Sequence, residues 1–93
     1  MNYAVRLTQA AERDLVRLVT FLAAENPNAA RKARAALKAR IKSLARMPER
    51  ARRLHPGCHV MDVPFGASGY SIWFDVREDR VIVARIFHMR EDR

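Results

Sequence analysis

Hydrophobic and polar positions change period along this chain. Tyr3 to Leu7 alternates and predicts a short first strand. Thr8 then stands where a helix N-cap belongs, with Glu12 in the first turn beside the positive end of the helix dipole. Ala11, Leu15, Leu18, Val19 and Leu22 follow at helical spacing as one apolar stripe, and Arg13, Asp14 and Arg17 are read on its far side. Asn26-Pro27 breaks the pattern and opens a second helix, with Ala30, Ala33, Leu37, Ile41 and Leu44 on one face and Pro48 ending it near Met47. The break is short, so the helices form an antiparallel hairpin.

After Pro48 the period becomes that of strands. Gly57 to Gly66 reads as a strand in which Pro64 must sit at an edge or an end. The Gly66–Gly69 stretch is a turn. Tyr70 to Val76 alternates, with Tyr70, Ile72 and Phe74 inward and Ser71, Trp73 and Asp75 outward. A polar turn over 77–80 leads to a last strand ending at His88. The predicted fold is α+β, in the order β-α-α-β-β-β. A helical hairpin packs on one face of a small, mainly antiparallel sheet, in a single domain over residues 1–93. On the last strand, Arg85 is hard to bury unpaired. Its face, with Val81, Val83 and Phe87, is therefore read as outward, and Ile82, Ala84, Ile86 and His88 as inward. Trp73, Val81, Val83 and Phe87 then form an exposed apolar patch suited to a partner.

Charge adds a second feature. The chain has 18 Lys and Arg against 10 Asp and Glu, a formal net charge of +8. Such a field favours an acidic partner, either nucleic acid or an acidic protein segment. From Arg31 to Arg53, Glu49 is the only acid among Arg31, Lys32, Arg34, Lys38, Arg40, Lys42, Arg46, Arg50, Arg52 and Arg53. A single-sign run of this kind is a solvated helix face or an electrostatic landing surface. A lone cysteine, Cys58, excludes an internal disulfide and fits a reducing cytoplasm. There is no signal-peptide pattern and no apolar run long enough to span a membrane. His55, Cys58 and His59 lie close together but lack a fourth ligand, so no metal and no cofactor is expected.

Taken in order, the motifs carry a resemblance. Ala11, Asp14, Leu15, Asn26, Pro27, Ala30, Leu44, Pro48, Tyr70, His88 and Arg90 follow the pattern of the RelE/ParE superfamily of type II toxin–antitoxin toxins over nearly the full length. The resemblance implies a cognate antitoxin that is acidic or partly disordered where it wraps the toxin, in a hetero-oligomer. It also implies one of two actions. RelE-like members are ribosome-dependent mRNA endoribonucleases; ParE-like members inhibit DNA gyrase.

Residues weigh between the two. RNA cleavage by 2′-OH attack needs a base, an acid and cations on the phosphate. The candidates are His88, Arg85, Arg90 and His59. Against them, Ser71 stands where the ribonuclease branch often has arginine, Asp75 repels phosphate, and Met89 follows His88 in place of tyrosine. The expectation is therefore a ParE-like, gyrase-directed inhibitor without chemistry of its own, with His88 packing at the sheet end. By resemblance, toxicity is assigned to the tail Met89, Arg90, Glu91, Asp92 and Arg93. Antitoxin binding is assigned to Trp73, Val81, Val83 and Phe87 with Arg34 and Lys38.

Overall fold

The computed structural model describes residues 2–46 and 48–91. Strand β1 (Ala4–Leu7) leads into helix α1 (Gln9–Ala23). The Thr8 hydroxyl caps that helix by accepting from the Ala11 N–H at 3.0 Å, as predicted. Helix α2 (Pro27–Ser43) starts on Asn26, whose side chain accepts from the Ala29 N–H, and carries proline in its first turn. It stops at Leu44, earlier than the sequence suggested. Pro48 instead opens a 3₁₀ turn (Pro48–Arg50). Met47 lies outside the described residues.

Four further strands follow: β2 (Arg52–His55), β3 (Cys58–Phe65), β4 (Ser68–Val76) and β5 (Arg80–His88). The sheet order is β1-β5-β4-β3-β2, with β1 parallel to β5 and every other pair antiparallel. The prediction therefore held in its layers but lacked one strand, β2. Pro56-Gly57 joins β2 to β3 in a two-residue loop with Gly57 at φ 82, a backbone position that favours glycine. At Gly69 the demand is space: a Cβ there would lie 2.5 Å from the Val63 carbonyl oxygen.

The core lies between the helices and one sheet face. Ala11, Leu18, Ala33, Leu37, Ile41 and Leu44 pack on Val63, Tyr70, Ile72, Phe74, Val81, Val83 and Ile86. Fully buried side chains such as Leu37 and Phe74 each contribute roughly 1.5–3 kcal/mol by leaving water.

This corrects the predicted register of β5. Val81 and Val83 are fully buried, whereas Ala84 and Arg85 are exposed. Phe74 pairs with Val83 but Trp73 pairs with Arg85, so Ala84 is an extra residue, a β-bulge. Odd positions face the core before it and even positions after it. The Thr8 backbone N–H donates to the Val83 carbonyl at 2.9 Å and its hydroxyl to the Ala84 carbonyl at 2.8 Å, which pins the bulge to the start of α1.

Candidate functional site

Beyond Val83, β5 has no strand on its outer side among the described residues, because β1 stops at Leu7. Helix α1 takes over that edge. Asp14 is buried, not on the far side of α1 as the sequence suggested. Its carboxylate accepts from the Ile86 backbone N–H at 2.9 Å and from Arg85 at 2.7 and 3.0 Å. Arg17 adds a third cationic contact at 3.3 Å. Burial raises the carboxyl pKa. The hydrogen bonds from Arg85, Ile86 and Arg17 outweigh burial and hold it below its ordinary value. Arg85 is correspondingly raised, first by its hydrogen bonds to Asp14.

The same line of charges continues to the C-terminal turn. Arg17 donates to Glu91 at 3.0 Å. The other Glu91 oxygen accepts from the His88 backbone N–H at 2.8 Å. Met89 N–H donates to the Gly69 carbonyl, and Arg90 N–H to His88 Nδ1 at 3.1 Å. With Nδ1 accepting, the neutral ring carries its proton on Nε2. The His88 ring packs edge-on against Tyr70, with centroids 5.4 Å apart. Residues 89–91 of the proposed toxicity tail are thus folded back on the strand end; Asp92 and Arg93 lie outside the described residues.

His88 opens on a largely apolar pocket of about 360 Å³, walled by Leu18, Phe21, Leu22 and Tyr70 with Arg17 and Glu91 at its rim. A phosphate entering there would meet Arg17 already engaged by two carboxylates.

Of the four ribonuclease candidates, His88 and Arg90 are neighbours at the C-terminal turn, Arg85 is engaged by Asp14, and His59 stands apart. His59 is buried against Phe74, its ring stacked at 5.4 Å and 16°. Its Nδ1 has no hydrogen-bond partner among the described residues. His59 is level with Phe74 and His88 with Tyr70. At strand rise and spacing, that separates them by about 13 Å along the sheet and about 10 Å across it. Arg85 is spent on Asp14 and lies over the Phe87 ring at 4.8 Å.

The proposed partner patch is divided by the bulge. Trp73 and Phe87 are half-buried on the outer face, in edge-to-face contact at 5.3 Å. Val81 and Val83 belong to the core and leave the patch. Arg34 and Lys38 line a different groove, with Leu15 and Val19 of α1. Burial, then Asp75, raises the Cys58 thiol, which keeps it protonated and a poor nucleophile. Among the described residues no cluster of His, Cys, Asp and Glu could hold a metal.

Comparison with known proteins gives these features a context. Toxin RelE1 of Caulobacter vibrioides is 34% identical over 93 residues, covering 100% of both chains. Toxin RelE3 of the same organism is 36% identical over 90 residues, covering 97% of this chain and 98% of its own. The chromosomal ParDE toxin–antitoxin system of P. aeruginosa contains a chain of the same fold, at TM-score 0.77 and 21% identity, covering 92% of this chain and 95% of that one. The RelBE2 toxin–antitoxin complex of Mycobacterium tuberculosis contains another, at TM-score 0.62 and 22% identity, covering 95% and 99%. The family model of the ParE toxin of the type II toxin–antitoxin system parDE matches residues 5–93. The chain is therefore a toxin of the type II toxin–antitoxin class and belongs to the ParE toxin family.

Proposed function

We propose that this toxin inhibits DNA gyrase by binding and performs no chemistry of its own. The separation of His59 from His88, with Arg85 engaged by Asp14, carries this reading: of the four candidates only His88 and Arg90 are neighbours, which does not bring a base, an acid and phosphate-binding cations to one phosphate. The target-facing element is the C-terminal segment from Met89 onward. A cognate antitoxin with an acidic or partly disordered segment neutralises the toxin, and the Trp73–Phe87 pair is one of its anchors. Both act in the cytoplasm. Among the described residues no helix is long and apolar enough to cross a membrane.

A second reading, ribosome-dependent mRNA cleavage, draws on the RelE names of the two C. vibrioides relatives. DNA supercoiling by purified gyrase separates the two. Titration with the toxin should stop supercoiling and accumulate cleaved DNA, and deleting Met89 to Arg93 should abolish both effects. A folded wild-type protein that leaves gyrase untouched while it cuts mRNA on ribosomes would overturn the proposal. In that case His88→Ala should slow cleavage by about a hundredfold or more if the imidazole transfers the proton.

A further inference from the structure

We propose that the arginine-lined cleft between the end of α2 and strand β2 binds the phosphate backbone of duplex DNA. Residues from the end of α2, the 3₁₀ turn and β2 meet here and bring Arg40, Arg46, Arg50 and Arg52 to one cleft of about 530 Å³. Among the described residues a single carboxylate, Asp62, shares the lining. It lies 3.5 Å from Arg52, and its backbone carbonyl accepts from Arg40 at 3.4 Å.

Chemistry points to phosphate. Guanidinium groups present planar forks that match phosphate oxygens two at a time. A docked peptide helix would need apolar anchors. Of the apolar side chains that line the cleft, Leu44, Pro48 and Val60 are buried, and Ala51 and Met61 are half-buried and packed against the core. The exposed large apolar residues Val16, Phe21 and Leu54 do not line it. Among the described residues no aromatic ring lines it either, so bases have no stacking platform and binding should be independent of sequence. The surrounding run from Arg31 to Arg53 extends the same sign of field. The inference rests on the gyrase reading only in its choice of duplex DNA: the toxin would hold DNA as well as enzyme.

Fluorescence anisotropy of a short labelled duplex of random sequence, titrated with the purified toxin over a salt series, tests this. The combined Arg40→Ala, Arg46→Ala, Arg50→Ala and Arg52→Ala variant should bind at least about tenfold more weakly at low salt. Its plot of log affinity against log salt should flatten by about three to four. The combined Arg6→Ala, Arg13→Ala, Lys32→Ala and Arg80→Ala variant removes the same charge outside the cleft and should lose much less. Equal losses would overturn the cleft in favour of a diffuse field. So would tight binding of poly-glutamate or single-stranded RNA with none of the duplex. If the fourfold variant does not fold by circular dichroism, Arg46→Ala alone should still lower the slope by about one. The supercoiling assay keeps the two proposals apart. Wild-type toxin that binds duplex at the cleft but spares gyrase would sink only the gyrase reading. Gyrase inhibition with unchanged duplex binding by the cleft variant would sink only the cleft.

Discussion

Two groups of arginines sit in this small protein under opposite conditions. Around Asp14, Arg85 and Arg17 meet carboxylates at 2.7 to 3.3 Å, and the central acid is buried. In the cleft below α2, four guanidinium groups share a lining in which Asp62 is the one carboxylate among the described residues. The first group closes an open sheet edge, since the Asp14 carboxylate takes the N–H that a neighbouring strand would have taken. The second crowds like charges and costs stability. Matched charge here builds the fold; concentrated charge of one sign is what a binding surface keeps at the fold's expense.

Breaking the matched group should give the largest effect. Asp14→Ala strips partners from Arg85 and the Ile86 N–H and should cost about 3 kcal/mol in urea unfolding. That is the low end for a broken buried pair, because the Arg85 side chain is 45% exposed. Acid should erode the same contribution. The folded carboxyl lies below its ordinary 3.8, so its stabilisation is complete above that value and lost as pH falls through the lower folded one. In Asp14→Asn that part of the acid dependence should vanish; an unchanged stability profile below pH 4 would refute the role given to Asp14. Next in size, Glu91→Gln loosens a half-exposed contact with Arg17 and should cost less than about 1 kcal/mol. Smallest, Arg46→Ala should change stability by no more than about 0.5 kcal/mol while it weakens duplex binding. A large stability loss there would move the cleft into the structural class.

Most of the scaffold was legible because its signals are local. Thr8, Asn26 and Pro27 announce both helices by capping chemistry, and the buried face of α2 follows directly from its period. Strand β2 was missed because Arg52, Arg53, Leu54 and His55 are all exposed and show no alternation. The Pro56-Gly57 turn before an apolar strand was the available signal. Val81 and Val83 were misplaced because a bulge shifts the phase by one, and nothing in the composition of β5 marks Ala84 as the extra residue. Asp14 was set outside on polarity alone. Its spacing of three from Ala11 and four from Leu18 puts it on the buried face, where Arg85, 71 positions later, neutralises it. The dispersal of His59 and His88 depends on strand order, which periodicity does not encode.

The parallel pairing of β1 with β5 has a consequence for how the protein comes into being. β1 emerges from the ribosome first among the strands, yet its sheet partner is the last strand described, and the two lie side by side only when Arg80 to Val83 have been made. Until then Thr8 has no Ala84 carbonyl to hold and Asp14 has no Arg85. Such distant pairing slows closure. A nascent chain halted before residue 80 should therefore be protease-sensitive and harmless, and the native fold should appear only once β5 has been made.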